Sequence, residues 1–510
     1  MAKKKEGQKS GSKQDIPGVC DLDGGYVSPV KTIRDVTFEN IRSLVSKSHY
    51  FQTLIVLTIV GLFLRFYNLG YNALWLDEAT THSFSVNSFL EIWQVTAGGE
   101  FNPPLFYWME HAMLMLGNNE VILRFIPALL GTLSIPLFYL VGKEFLDKNT
   151  GIIAAAACAV SPFLIYYSQE ARAYAVMLFF VALATLFFLK AMKSGNRIQW
   201  ALFGVFSALA FWTHFYAFVM IAALVLFALI EWVPHIRSEL HNLKMLALGV
   251  IVFIILSAPL IIVTVQLFIT RTASAPTYGI QGLGIITETF SQISGFNEIA
   301  MFLLVALFII GIIQAFLIDK NKGIFLVLVT VLTFVISYIL SFKMPMLPRY
   351  LIFLSLIFFI GIAVSYRIFY ALWCNRAVVY GFIVVIFIIG VAVLVQMGYY
   401  SGYSKDDWRG FSGVLEGATH SGDIIVAVPG YMTQPLDYYY SATKDNTREF
   451  GATTGQDLEK LSLQRGNSTM FFVVTQDINA ANPNGDAFAW LKNNTKFAGQ
   501  DTGIYLFTSS

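Results

Sequence analysis

The sequence predicts an α-helical polytopic membrane protein that ends in a small extracytoplasmic α/β domain. Of its 510 residues, 56% are hydrophobic and 13% are charged. A soluble domain carries about 25% charged residues, so this chain cannot cover an ordinary water-exposed surface. The composition excludes a cytosolic enzyme, a disordered chain and a collagen-like fibre, and the net charge of +2 gives no electrostatic reason to expect nucleic-acid binding.

Long uncharged runs are the evidence for the membrane helices, because a helix needs about 20 apolar residues to cross a bilayer. The runs are 50–64, 125–142, 151–169, 173–189, 198–230, 245–270, 299–318, 323–342, 350–366 and 377–404. As one helix the run 198–230 would be about 50 Å long, which is too long for one crossing. We split it near Thr213 and His214, and the prediction becomes about eleven transmembrane helices.

Lysine and arginine in short loops predict the orientation, because cytoplasmic loops are enriched in both. Alternate loops share this bias with the lysine-rich amino-terminal tail when the run 198–230 crosses twice. We therefore expect a multi-pass protein with a cytoplasmic amino terminus and an extracytoplasmic carboxyl terminus. The predicted domains are a cytoplasmic polar tail (1–48), a transmembrane domain (49–401) with a functional outer loop (69–120), and an extracytoplasmic soluble domain (402–510).

The soluble domain alternates short apolar runs with helix-like stretches, which is typical of an α/β fold. We expect strands at 423–429, 470–477 and 504–508, and helices near 455–463 and 486–494. The three cysteines, Cys20, Cys158 and Cys374, are far apart and have no CxxC spacing. Neither a disulfide framework nor a zinc site is indicated.

Ionisable residues near the membrane edge gather on the predicted outer side, and at membrane depth such residues are costly enough to suggest function. They are Arg65, Asp77, Glu78, Glu110, His111, Arg124, Glu170, Arg172, His214, Lys343 and Arg349. One of two adjacent carboxylates can act as a base, because a like charge and desolvation raise its pKa. Arginines at headgroup depth suit a lipid-linked phosphate. The set predicts group transfer from a lipid phosphate to a deprotonated hydroxyl.

Structural interpretations of the same residues stay open. Asp77 and Glu78 could be first-turn acids of a surface helix. Glu170 and Arg172 could form an ion pair between helix ends, and Arg65 could extend to the interface. Histidines near carboxylates, such as His111, could hold a divalent metal, although their spacing matches no standard motif.

Several motifs resemble a known family. The order is LRFYNLG, LWLDEA, NPPLFYW, LRFIPALLG and SPFLIYYSQEARAYA, and the TH at 213–214 and the PRY at 348–350 agree with it. This arrangement is similar to the GT-C integral-membrane glycosyltransferases, and within them to glycosyltransferase family 39, which includes protein O-mannosyltransferase and aminoarabinose transferase relatives. The resemblance covers roughly residues 50–220.

The resemblance implies a glycosyltransferase that moves a hexose, such as mannose, from a polyprenyl-phosphate donor to a lipid, glycan or protein hydroxyl on the outer side. It implies Asp77 as general base and Glu78 as the residue that orients either Asp77 or the acceptor. Residues implied to bind the donor or its phosphate are Arg65, Glu170, Arg172, Tyr174, His214, Arg349 and Tyr350; Asn102 and His111 would support the loop or the acceptor. Relatives often have His where this chain has Asn102, and the soluble tail does not resemble a β-trefoil.

Two other functions remain as alternatives. A membrane transporter or lipid flippase would need polar residues at mid-membrane depth, and the long apolar runs contain almost none. A receptor or assembly factor would depend on the segment 402–510 rather than on Asp77. The residues leave open the sugar, the acceptor, the dolichyl or undecaprenyl carrier, the need for a divalent metal and the oligomeric state.

Overall fold

The computed structural model describes residues 22–23, 26–29, 35, 37–100, 102–272, 276, 278–373, 375–402, 404–442 and 446–509. Cys20, Cys374 and most of the predicted cytoplasmic tail therefore lie outside the described residues. The helices before the carboxyl-terminal sheet are α1 (Phe38–Lys47), α2 (His49–Phe66), α3 (Leu76–Ser85), α4 (Phe89–Ala97), α5 (Pro104–Leu114), α6 (Glu120–Phe145), α7 (Lys148–Val160), α8 (Pro162–Ser168), α9 (Tyr174–Ser194), α10 (Arg197–Thr213), α11 (Ala217–Trp232), α12 (Ile236–Arg271), α13 (Gly284–Ile293), α14 (Glu298–Ile318), α15 (Lys320–Leu340), α16 (Leu354–Val364), α17 (Tyr366–Leu372) and α18 (Arg376–Gln396).

The chain is a multi-span membrane protein. Within the described residues, eight helical segments are long and apolar enough to cross a bilayer, and nine if the bent pair α7–α8 is one crossing. The expected eleven crossings exceed this number because α10 has only 17 residues and because α11 and α12 lie in one segment, Ala217–Thr270. The predicted break near Thr213 is confirmed, since α10 ends there and α11 begins at Ala217.

The outer surfaces of the long helices are apolar, as expected of helices that face lipid. Ile255 on α12, Leu317 on α14 and Val395 on α18 are 67%, 74% and 74% exposed. Proline produces a sharp bend between two other helices, because Pro162 follows Ser161 at the junction of α7 and α8, where the helix axis turns by 59°.

The two ends of the helical bundle differ: one has hydrogen bonds between helices, and the other has a layer of short helices. At one end the Tyr50 hydroxyl donates to Asn149 at 2.5 Å, and the Tyr366 hydroxyl donates to Asp147 at 2.8 Å. The short helices α3, α4 and α5 lie between α2 and α6 at the other end. The predicted outer loop is thus a compact helical layer that covers one end of the bundle.

The carboxyl-terminal segment forms the small α/β domain that the sequence predicts. Its strands are β1 (Ile424–Val428), β2 (Arg448–Gly451), β3 (Met470–Thr475), β4 (Thr495–Asp501) and β5 (Ile504–Ser509), in the order β2-β1-β3-β5-β4. Strands β2, β1 and β3 are parallel, whereas β5 and β4 are antiparallel. Its helices are α19 (Trp408–Ala418), α20 (Thr433–Tyr439), α21 (Gly455–Leu463), α22 (Ile478–Ala481) and α23 (Asp486–Asn494).

The sheet packs on the outer loop through one of its faces. Helices α19 and α20 cover that face, and Ala73 and Leu76 of the loop join the same apolar cluster. Short α20 lies directly against α3. The Tyr439 hydroxyl accepts from the backbone N–H of Leu74 at 2.7 Å. The domain therefore rests on the segment that carries Asp77 and Glu78.

Candidate active site

The adjacent carboxylates lie in the first turn of α3, which begins at Leu76 after extended Trp75. Acidic side chains are favourable at a helix amino terminus because the unpaired backbone N–H groups carry partial positive charge. The two side chains have different environments. Asp77 is 23% exposed, whereas Glu78 is completely buried.

Asp77 faces two arginines that come from distant parts of the chain. Its Oδ2 lies 3.3 Å from Arg349 Nη2 and 3.9 Å from Arg172 Nε. Arg172 also donates to the Asp77 carbonyl at 3.1 Å and to the Thr81 hydroxyl at 3.2 Å. Asp77, Arg172 and Arg349, all predicted site residues, thus meet at one point. The Asp77 carboxylate is partly exposed to solvent and lies between the two cations.

Glu78 anchors the loop instead of facing solvent. Arg124 binds both of its carboxylate oxygens at 2.7 Å, and the N–H of Ala171 donates to Oε1 at 2.8 Å. Lys405 lies 3.0 Å from Oε2. Burial raises the pKa of Glu78, but the charges of Arg124 and Lys405 outweigh it and lower this pKa to about 2.

This ion pair predicts a loss of stability in acid. The contribution of Glu78 is fully present above its ordinary pKa of 4.5 and is lost as the pH falls towards about 2. We expect the loss to be about 3 kcal/mol of unfolding free energy. The thermal unfolding midpoint of the purified protein should fall between pH 4.5 and 2.5, and the fall should be smaller in Glu78→Gln. Equal acid sensitivity in both proteins would contradict this assignment.

Aromatic rings enclose the arginines. The Arg349 guanidinium lies 5.6 Å from the Trp75 ring centroid and 5.8 Å from that of Tyr174. Tyr350 stacks on Tyr216 at 5.2 Å, and His214 lies 5.3 Å from Tyr350. Arg349 itself lies in a 3₁₀ turn, Pro348–Leu351, before α16.

Three buried polar atoms in this wall have no hydrogen-bond partner among the described residues. They are Trp75 Nε1, Tyr174 Oη and Arg349 Nε. Unpaired buried polar groups are costly and call for an explanation. A polar ligand bound between the arginines would satisfy them.

A large apolar cavity adjoins this polar pocket. It has a volume of about 810 Å³ and is lined mainly by α10, α11, α12 and α15. Glu100 and Tyr216 are the lining residues that link it to the pocket, since Tyr216 stacks on Tyr350. The apolar cavity and the polar pocket therefore meet at Tyr216.

Comparisons with known proteins bear on the fold that holds this pocket. Residues 102–262 match the family model described as dolichyl-phosphate-mannose-protein mannosyltransferase. The structure is similar to that of ArnT from Cupriavidus metallidurans bound to undecaprenyl phosphate, with a TM-score of 0.58, 13% identity and coverage of 89% of this chain and 97% of that chain. It is also similar to the oligosaccharyltransferase of Archaeoglobus fulgidus, with a TM-score of 0.55, 13% identity and coverage of 89% and 72%. The chain has the GT-C fold.

Two curated proteins match part of the chain. An uncharacterized protein of Aquifex aeolicus (strain VF5) is 31% identical over 210 residues, which are 39% of this chain and 42% of that protein. The putative mannosyltransferase YkcB of Bacillus subtilis (strain 168) is 26% identical over 223 residues, 41% of this chain and 30% of that protein. The chain spans less than half the length of these curated relatives. The predicted resemblance to GT-C glycosyltransferases is confirmed.

Three predicted site residues lie apart from the Asp77 pocket of this GT-C fold. Arg65 is completely buried, and its guanidinium donates to Ser168 and to the carbonyls of Gly61, Cys158 and Ala159. These contacts hold the Arg65 side chain between α2, α7 and α8. His111 contacts the Ser85 carbonyl at 2.9 Å through Nδ1 and links α5 to α3.

Asn102 supports a carboxylate near the cavity. Its Nδ2 donates to Glu100 Oε1 at 3.1 Å, and the Tyr107 hydroxyl donates to the same oxygen at 3.0 Å. The described residues contain no group of three or more His, Cys, Asp or Glu side chains placed to hold a metal ion.

Two residues that lie close to Asp77, Glu78 and Arg349 were not predicted. Lys405 lies beyond the last membrane helix and reaches Glu78 through the fold alone, so no local signal marks it. Trp75 precedes Asp77 in the LWLDEA motif, and its place next to two acids could have suggested a role in the pocket.

Proposed function

We propose that this protein is a glycosyltransferase that moves a hexose from a polyprenyl-phosphate donor to a hydroxyl acceptor on the extracytoplasmic side. The observation that supports this most is Asp77, a partly exposed carboxylate beside Arg172 and Arg349 next to an apolar cavity. The donor's lipid chain would occupy the cavity, and its phosphate would bind the arginines. The match to the dolichyl-phosphate-mannose family model favours mannose as the sugar.

The proposed reaction is a direct displacement at the anomeric carbon. Asp77 takes the proton of the acceptor hydroxyl as the acceptor oxygen bonds to that carbon. The bond from the carbon to the phosphate oxygen breaks, and its electron pair stays on the phosphate. Arg172 and Arg349 stabilise the charge that grows on this phosphate. Glu78 holds α3, and therefore Asp77, in place through Arg124.

The direct test offers purified protein in membranes a panel of labelled polyprenyl-phosphate sugars and measures released polyprenyl phosphate. We expect polyprenyl phosphate to be released from the donor of one sugar, with mannose first among the candidates, and only when an acceptor is present. The test includes the variant Asp77→Asn. Its matched control is Asp477→Asn, which removes an exposed carboxylate that lies outside the pocket. Failure of every donor to react would refute the proposed function.

Arg349 provides a second prediction. Arg349→Met should raise the KM for the donor and lower kcat, with kcat/KM falling about 100-fold, because one charge-assisted phosphate contact is lost as charge develops. Arg349→Lys should recover part of the loss, since lysine keeps the charge but not the planar fork. Steady-state kinetics with varied donor would check this. An unchanged KM and kcat in Arg349→Met would remove Arg349 from the donor site.

A further inference from the structure

We propose that Lys405, in the segment joining the membrane helices to the carboxyl-terminal domain, is a positioning residue of the proposed transfer site. Its ammonium lies 3.0 Å from Glu78 Oε2 and 3.5 Å from Glu170 Oε1. The side chain is only 6% exposed. It also lies over the rings of Trp75 and Tyr166, at 5.7 Å from each centroid.

In the described part of the chain, the charge of Glu170 is paired with Lys405 alone, whereas the charge of Glu78 is paired with Lys405 and with a second cation. Glu78 has Arg124 as a second cation, whereas Lys405 forms the one ion pair of Glu170 among the described residues. Glu170 is 1% exposed, and neither of its oxygens has a hydrogen-bond partner among the described residues. A buried carboxylate left without its cation is strongly unfavourable. Lys405 is therefore the cation that favours the ionised form of Glu170.

Other ionisable groups also face Glu170. They are Glu78, Asp77, Arg349, Tyr166, Tyr167 and Tyr399. Burial raises the pKa of Glu170, and Lys405 is the strongest opposing influence. Loss of Lys405 would raise this pKa further, so Glu170 would then take up a proton at a higher pH.

The ionisation of Glu170 affects transfer through the net charge around the pocket. This argument rests on the proposed function. With every group ionised, the cluster formed by the ion pairs around the pocket contains three carboxylates and four cations: Asp77, Glu78, Glu170, Arg124, Arg172, Arg349 and Lys405. Its net charge of +1 matches the single negative charge of a glycosyl phosphodiester. When Asp77 gains the proton, the cluster becomes +2 and matches the doubly ionised phosphate that leaves. Without Lys405 this match is lost unless Glu170 is protonated.

The position of Lys405 also couples the carboxyl-terminal domain to the loop. The neighbouring Ser404 N–H donates to the Asn72 side chain at 2.9 Å, and Arg409 Nε donates to Glu120 at 3.1 Å. The residues on both sides of Lys405 are therefore fixed on the segment that surrounds α3. The domain delivers a charge to the pocket as well as covering it.

The test compares Lys405→Met, the double variant Lys405→Met/Glu170→Gln, and Lys492→Met, which removes an exposed lysine of the same domain. We expect transfer by Lys405→Met to fall about tenfold for each pH unit above the pKa of Glu170, because only the protonated form keeps the charge match. The double variant should lose this pH dependence and recover activity at pH 8. Lys492→Met should have the wild-type profile.

A second readout does not need activity. In Lys405→Met the thermal unfolding midpoint should fall from pH 5.5 to pH 8 more steeply than in wild type, because a raised carboxyl pKa gives stability that is lost as the pH rises. The double variant should lose this dependence. Equal pH dependence of the midpoint in all four proteins would overturn the proposal even if no donor reacts. If the wild type is active and the double variant is as impaired as Lys405→Met, the proposal is also overturned. If the wild type is inactive with every donor, that result counts only against the proposed function.

Discussion

Asp77→Asn should reduce sugar transfer by about 1,000-fold, because an amide cannot accept the proton of the acceptor hydroxyl and general-base catalysis typically contributes about 10²–10⁴-fold. The pocket should otherwise remain, since the amide oxygen of the substituted side chain can still accept from Arg349, which lies 3.3 Å from Asp77 Oδ2. The donor KM should therefore not rise while kcat falls. Single-turnover measurement of polyprenyl phosphate release at saturating donor would check this.

The control for this variant is Glu78→Gln, which alters the adjacent carboxylate. Glu78 is completely buried and holds Arg124, so its substitution should lower stability and activity together. Asp77→Asn should lower activity with a thermal midpoint close to that of wild type. Full transfer by folded Asp77→Asn would exclude Asp77 as the base.

The largest effect on stability should come from Arg124→Met. Arg124 donates to both oxygens of Glu78 and to the carbonyls of Leu69, Asn72 and Ala73, so its loss leaves a buried carboxylate and three carbonyls without this partner. Breaking a buried pair from one side costs about 3–5 kcal/mol. The thermal midpoint should fall sharply, and the outer loop should become sensitive to protease.

A double variant separates the lost charge from the lost packing. Arg124→Met/Glu78→Leu removes both charges of the pair and should be more stable than Arg124→Met alone, because no carboxylate is then left facing an apolar side chain. If the single and double variants unfold at the same temperature, the carboxylate is not what destabilises Arg124→Met, and the proposed anchoring of α3 is wrong.

Hydrophobic patterning accounts for most of the fold that could be predicted. The break at Thr213 followed from length alone, because one helix could not hold the run 198–230. Strands β1 and β3 were found because they are continuously apolar and completely buried. Strands β2 and β4 were missed because REFG and TKFAGQD are short or mostly exposed and have little apolar character. Such edge strands form through pairing with neighbours rather than through their own sequence.

Part of the site could be predicted from the charged residues at one membrane edge. Asp77, Arg172 and Arg349 do meet, since each lies in a segment that connects long helices at the same end of the bundle. The Arg65 guanidinium turns towards backbone carbonyls, and sequence alone cannot show whether an arginine at a helix end does so or faces solvent. Lys405 was missed because its contact with Glu78 depends on how the carboxyl-terminal domain folds back onto the loop.

The most direct test of the central claim follows the donor itself in proteoliposomes that contain the purified protein. Doubly labelled donor, with one label in the sugar and one in the lipid, is added with an acceptor, and both labels are traced. The account predicts that the sugar label enters a glycoside while an equal amount of polyprenyl phosphate appears, and that Asp77→Asn forms both products about 1,000-fold more slowly. Intact donor that moves between the two leaflets without cleavage would contradict it and would identify a lipid transporter.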